Sequence, residues 1–326
     1  MEDGAARHEL VSRNYRLEAS GSQPLRLFFQ PERSFYHRNF DALSSAAGHL
    51  AQNTEIPCCR MVRTISGSFT LEANGERVIL MMVPGERQIL PPAGRMLARF
   101  HQETRIADIS YFSESPLSGK SAGLAGQLDR LGEKFRELEG KSEYTPFERI
   151  FLANFAYFAG CAENALQYLV NLTIDEPEPD PLVLTHRRLT GIRALYPENP
   201  ANWVAEDRSR DLSDWLRALA WRANAQEADV LTRQFLDDYE AIWPLTRRTA
   251  ASVFARLLFP QAYIACCEQY FFSERESGTA HLHEALQRFE DRAPEKERLL
   301  MLLAARYPWI PVPEWVSKAG SYEQQR

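Results

Sequence analysis

Lysine is scarce in this sequence. Of 38 lysine and arginine residues among 326, only Lys120, Lys134, Lys141, Lys296 and Lys318 are lysine, and none lies in the first 119 residues. Against 44 acidic side chains the formal net charge is −6, which offers no global attraction to nucleic acid or anionic lipid, and neither is expected as a partner. Cysteine is equally thin. Five cysteines in a chain this long make no disulfide framework. Cys58-Cys59 and Cys266-Cys267 are sequence neighbours, which bridge each other only with strain. No CxxC pair and no His/Cys cluster has zinc spacing, so a reduced, cytosolic origin is expected. The opening stretch MEDGAARHELVSRNYR has no apolar core, which predicts synthesis without a signal peptide. No membrane span is expected either: the longest apolar stretch, residues 150–172, carries Asn154, Glu163, Asn164 and Gln167 on several faces and reads as a buried helix.

What is present changes character along the chain. Residues 1–84 read as a small lobe of strands plus one helix. Short strands are expected at 16–18 and 25–29. A helix is expected over 37–53, where Phe40, Leu43, Ala47 and Leu50 recur at three- and four-residue spacing. Two β-rich runs, 61–73 and 76–83, flank Asn74-Gly75, a dipeptide suited to a type I′ hairpin turn. Residues 85–326 read as a large helical lobe. Leu124, Leu128, Leu131, Phe135 and Leu138 form a 4-3-4-3 stripe that stops at Gly140. Thr145-Pro146-Phe147-Glu148 has the N-cap, first-turn proline and reciprocal glutamate of a helix start, and the following aromatic face (Phe147, Phe151, Phe155, Phe158) reads as core. The acidic, proline-rich connector 175–181 interrupts this helical lobe and delivers the apolar Leu182-Val183-Leu184 into His186-Arg187-Arg188. A second short strand is expected at 203–207. Helices are then expected over 212–223, with Asp211 as N-cap, 228–243, 245–272 with a kink at Pro260, 279–292 and 294–306.

This order of parts, together with LVLTHRRLT at 182–190, WVAED at 203–207 and Asp211-Leu212-Ser213, resembles the protein-kinase-like superfamily that includes the aminoglycoside phosphotransferases. The His-Arg-Arg-x-Thr loop and the run SRDLSDWLR at 209–217 are most similar to the spore coat kinase-like proteins of the CotS/YutH family. The resemblance spans nearly the whole chain. It implies an α+β, two-lobed fold with a small β-rich N-terminal lobe and a large helical C-terminal lobe, residence in the bacterial spore coat, and other coat proteins as partners.

Phosphoryl transfer needs a carboxylate at the acceptor hydroxyl, a small-lobe lysine on the nucleotide phosphates, and an Asp/Asn pair on magnesium. In this sequence the position of the catalytic Asp falls on Arg188, a permanent cation that cannot act as a general base. The loop Asn position falls on Arg193, and the small lobe has no lysine; Arg26 is the one substitute considered. Asp207, with Glu206, is what remains as a metal or nucleotide ligand, and it precedes Asp211 by four residues, a shorter spacing than in the active enzymes. Loss of a general base alone costs a factor of about 10² to 10⁴. A pseudokinase acting as a structural or interaction component is therefore expected, with no catalytic residue and no cofactor. ATP and magnesium belong to the alternatives, an active hydroxyl-directed small-molecule kinase or a nucleotide-binding sensor without turnover.

The remaining polar residues have plainer expectations. His186 is expected to brace backbone, and Asp211 to pin the loop 186–188 from below. Arg187, Arg188 and Arg193 can be read as an anion site or as internal partners of Glu206, Asp207 and Asp211, and the internal pairing is preferred. The cysteine pairs are expected to be part-buried, with crosslinking in an oxidised shell as the sharper alternative. His281 and His283 lie on opposite sides of a helix turn, which argues against a shared metal. Trp309, Trp315 and Tyr322 are expected to form a strapped tail.

Overall fold

The computed structural model describes residues 14–15, 26–84, 91–106, 120–189, 191, 197–222, 224–273 and 280–313. The chain divides into two compact units. One is built from residues within Met1–Ser115, Pro181–Asp211 and Gln234–Pro244, the other from residues within Pro116–Asp180, Leu212–Arg233 and Leu245–Arg326.

In the first unit, β4 (Glu76–Val83) is the centre of an antiparallel sheet. On one side it pairs with β1 (Arg26–Pro31), Arg26 opposite Val83. On the other it pairs with β2 (Arg60–Val62) and then β3 (Thr70–Ala73). Val78, Ile79, Leu80 and Met81 are all buried, so β4 is covered on both faces, as a continuous apolar run rather than an alternating one requires. Asn74 and Gly75 turn β3 into β4 with φ of 52° and 75°, the left-handed pair a type I′ turn demands. The run expected as one strand over 61–73 is two: residues 63–69 loop out through Gly67, at φ 86°, before the ladder resumes. Helix α1 (Phe40–Asn53) is capped by Asn39, whose Oδ1 accepts from the Ala42 nitrogen at 3.0 Å, and buries Leu43, Ala47 and Leu50. The strand expected at 16–18 lies outside the described residues.

The same unit holds α2 (Ala93–Glu103), β5 (Leu182–His186) and β6 (Trp203–Asp207). α2 lies close against the C-terminal part of α6 (Ala225–Glu240) because residue 94 has no side chain. A Cβ on Gly94 would come within 2.9 Å of the Asp238 Cβ and the Tyr239 backbone nitrogen, and closer still to the Phe235 carbonyl oxygen. Gly94→Ala is therefore expected to destabilise by about 1–3 kcal/mol, because backbone cannot yield as a flexible side chain can. Gly48→Ala on α1, where nothing lies within 4 Å, should stabilise by roughly 0.5–1 kcal/mol. Urea unfolding of the two variants checks the contrast.

The second unit is helical among its described residues. α3 (Lys120–Glu139) packs along α4 (Pro146–Asp175), with Phe135 stacked on Phe155 at 5.0 Å. α4 starts with the full capping box: the Glu148 nitrogen donates to Thr145 Oγ1 at 3.2 Å and the Thr145 nitrogen to Glu148 Oε2 at 2.8 Å. Its aromatic face is core: Phe158 stacks on Tyr263 at 4.0 Å and Phe147 on Tyr270 at 3.8 Å. The helix expected over 245–272 is two helices rather than one kinked helix, α7 (Arg247–Leu258) and α8 (Gln261–Phe272), since Pro260 has no N–H to continue the ladder. Residues Arg247–Phe272 are apolar and long enough to cross a membrane, but 72% of their most apolar window is buried inside the protein. α9 (Ala280–Asp291) and α10 (Ala293–Arg306) complete the set. His281 is exposed and His283 half-buried. Trp309 is exposed beside Tyr307 and Arg247, while Trp315 and Tyr322 lie outside the described residues. All five cysteines are free and buried, more deeply than expected, and burial pushes the thiols of both adjacent pairs up, Cys59 and Cys266 to about 11.

Candidate functional site

β5 and β6 pair antiparallel, Leu182 opposite Asp207 and His186 opposite Trp203, and the Arg187 nitrogen extends the ladder to the Asn202 carbonyl at 2.8 Å. This pairing brings the loop after β5 and the helix after β6 to the same end of the ribbon. That helix, α5 (Ser209–Arg222), begins at Ser209, two residues before Asp211. The cap is supplied by Asp207, whose Oδ1 accepts from the Ser209 nitrogen at 2.9 Å and from the Ser209 hydroxyl. Asp211 is thus in the first turn instead of at the N-cap, and its carboxylate points back at the loop.

Asp211 Oδ1 accepts from the His186 backbone nitrogen at 2.8 Å, and Oδ2 from His186 Nδ1 at 2.6 Å and from His101 Nε2 at 3.1 Å. The other nitrogen of His186 donates to Glu198 Oε2 at 2.8 Å, which also accepts from the Trp203 indole at 3.1 Å. His101, on α2, takes the Tyr239 hydroxyl on Nδ1 at 2.8 Å. Tyr239 and every member of the chain His101–Asp211–His186–Glu198 are buried, and Phe100 lies over His186 at 4.9 Å. Burial alone would lower the pKa of His186, but the carboxylates of Glu198 and Asp211 outweigh it and push it up to about 10. His186 is therefore an imidazolium at neutral pH. Burial would likewise raise the pKa of Asp211, yet His186 and His101 hold it well below the usual carboxylate range. His101 is lowered by burial, only partly offset by Asp211, and stays neutral.

Two further contacts tie this brace down. The Glu198 backbone exchanges hydrogen bonds with the segment before β2, from its nitrogen to the Pro57 carbonyl and from the Cys59 nitrogen to its carbonyl, both 2.8 Å. His37 accepts on Nε2 from the Ala205 nitrogen of β6 at 2.8 Å, and burial lowers its pKa to about 4.

The arginines do not pair as expected. Glu206 accepts from Arg210 at 2.6 Å, and Arg210 also donates to the carbonyls of His186 and Arg187. Arg187 is exposed and donates to the Ser34 carbonyl at 2.9 Å. Arg188 is exposed and makes no ion pair among the described residues. Arg193 lies outside them. The internal cluster forms around histidines and Arg210 because the carboxylates face inward, whereas the side chains of Arg187 and Arg188 face solvent. Arg26 is exposed at the start of β1. Sequence reasoning missed His101, Glu198, Tyr239, His37 and Arg210. His101 had a signal, a titratable residue one helical turn after Leu97 on an apolar face; Glu198, between two prolines, had none.

The two carboxylates expected as metal or nucleotide ligands both make contacts within the protein. Asp207 is turned into a helix cap and Glu206 is buried on Arg210. Among the described residues no group of three or more His, Cys, Asp or Glu side chains is arranged to hold a metal ion.

The family model for the spore coat putative kinase YutH matches residues 9–303. This chain belongs to that family. The YutH assignment is matched by a curated relative, the endospore coat-associated protein YutH of Bacillus subtilis (strain 168), which is 27% identical over 312 residues, 89% of each chain. Among solved structures, an aminoglycoside phosphotransferase from Alicyclobacillus acidocaldarius superposes with a TM-score of 0.69 at 17% identity, covering 91% of this chain and 95% of that one. A spectinomycin phosphotransferase, in complex with ADP and spectinomycin, gives 0.52 at 14% identity over 92% and 97%. The YutH fold is accordingly the α+β protein-kinase-like fold of the aminoglycoside phosphotransferases, with its small β-rich and larger helical lobes. As a YutH-family chain this is a kinase-like protein of a spore coat family.

Proposed function

We propose that this protein is a catalytically impaired kinase, a pseudokinase, that serves as a structural or interaction component of the bacterial spore coat, made in the cytoplasm and assembled there with other coat proteins. One observation carries the reading. Arg188, the residue that the motif aligns with the catalytic Asp, is exposed and ends in a guanidinium, a group of donors with no acceptor atom to collect a hydroxyl proton. The surroundings support it: Asp211, Glu198 and Glu206 are buried on His186, Trp203 and Arg210, so the loop's carboxylates hold it in shape and do not face an acceptor. The association of the curated relative with the endospore coat supports the location.

Thermal unfolding with and without ATP and magnesium tests this. A scaffold shows no shift in Tm and releases no ADP. A Tm rise without ADP would replace the scaffold with a nucleotide-binding sensor. ADP release accelerated by a hydroxylated acceptor would overturn the proposal in favour of a working kinase.

A further inference from the structure

The one cysteine outside the two adjacent pairs, Cys161, has a partner that none of the others has. It sits on α4, with no exposed surface, and Lys296 on α10 places Nζ 3.1 Å from its Sγ. The lysine is held there. Its ammonium lies over the rings of Tyr157 at 4.9 Å and Phe158 at 5.5 Å, and the next residue, Glu297, accepts from the Tyr157 hydroxyl at 2.7 Å. Two aromatic faces and a hydrogen bond therefore fix the α10 side chain in register with α4, and nucleophilic nitrogen and sulfur are in contact inside a packed interior. Both belong to the second unit. Lys296 is half-buried, so a small oxidant reaches the pair from the lysine side.

We propose that Cys161 and Lys296 are a modification site at which dioxygen forms a reversible sulfur–oxygen–nitrogen bridge between α4 and α10. The thiol and one amine hydrogen are lost, one oxygen atom is inserted between Sγ and Nζ, and the other leaves as water: Cys–SH plus Lys–NH2 plus O2 gives Cys–S–O–NH–Lys plus H2O. Dioxygen takes four electrons, two from sulfur and two from nitrogen. A single bridging atom fits the existing separation. A direct sulfur–nitrogen bond would require the two helices to close by roughly an ångström or more, which a close-packed interior resists. Burial raises the pKa of the Cys161 thiol, with Lys296 pulling it back, and the amine must shed its proton to react, so bridging is faster at alkaline pH.

Protein prepared anaerobically with reductant is incubated in oxygen-saturated buffer at pH 7 and pH 9, then measured as an intact chain and after digestion. The expected result is a mass gain of about 14 Da located in a crosslinked peptide pair carrying Cys161 and Lys296, faster at pH 9, reversed by dithiothreitol and accompanied by a rise in Tm of several degrees. Cys161→Ser and Lys296→Arg should each abolish the gain; the arginine keeps a cation over Tyr157 and Phe158, so a folded Lys296→Arg protein keeps the test valid if the serine variant is unstable. A gain of about 16 or 32 Da confined to the cysteine peptide, a loss of about 2 Da in the crosslinked pair, or an unchanged mass would each overturn the proposal.

Discussion

Asp211→Ala should destabilise the protein by about 3–5 kcal/mol, the cost of taking one of two counter-ions from a buried cation and leaving buried donors unpaired. Asp211 receives three donors, the backbone and ring nitrogens of His186 and the ring of His101, and none of them can reach water without the loop moving. Asp211→Asn keeps the shape but replaces the carboxylate with a neutral amide, so His186 loses one of the two charges that hold its proton. Its loss in stability should lie below that of alanine, and its His186 pKa, followed by NMR of the ring, should drop from about 10 towards the ordinary range near 6.5. An Asp211→Ala protein as stable as the parent would mean that the loop is held by other contacts and that the carboxylate is incidental.

Stability should peak near pH 6.5 and fall on both sides. His186 has its pKa raised by folding, so its contribution is complete below about 6.5 and is lost as pH climbs to about 10, on the order of 5 kcal/mol over the whole window. His37 works in the opposite sense. Its folded pKa is lowered to about 4, so the unfolded chain takes up the proton first and stability declines from about pH 6.5 down to 4, by roughly 3 kcal/mol. Below that, protonation of Asp211, depressed in the folded state, removes what is left of the brace. Urea midpoints from pH 3 to 10 should trace this dome. The diagnostic stretch is pH 6.5 to 8.5, before the buried thiols contribute to alkaline unfolding; there the slope should vanish in His186→Gln. A slope that survives in that variant would assign the alkaline loss to other groups.

Local chemistry was legible in the sequence where it decides structure locally. Asn74-Gly75 prescribes its own turn, and Thr145 through Glu148 prescribes its own helix start, because in both cases the deciding contacts span three residues or fewer. The second strand of the β5–β6 ribbon and its aspartate could be placed from WVAED alone. The run 61–73 could not be divided from propensity, since Ile65 and Phe69 are as β-prone as their neighbours and the break depends on the turn at Gly67. The site was read only in part. His186 and Asp211 stood out through the motif, and their contact is present. Charge and proximity in sequence point the arginines at the wrong partners because burial chooses otherwise: carboxylates that face inward meet imidazoles on other elements, and Arg210, in the first turn of α5, reaches back to Glu206 near the end of β6. Glu198 could not be foreseen because its role depends on backbone pairing with Pro57 and Cys59, some 140 residues earlier in the chain.

The order in which the brace acquires its parts bears on how this chain emerges from the ribosome. His101 is made 110 residues before Asp211 and 138 before Tyr239. At a synthesis rate of about 5–20 residues per second, that imidazole waits on the order of ten seconds for its hydrogen-bonding partners. The nascent β4 sheet and the β5–β6 ribbon can close during that interval, but His101 cannot gain its last hydrogen bond until Tyr239 has cleared the exit tunnel. A translational pause placed before that residue would prolong the exposure of an incomplete core, and one placed after it would be harmless.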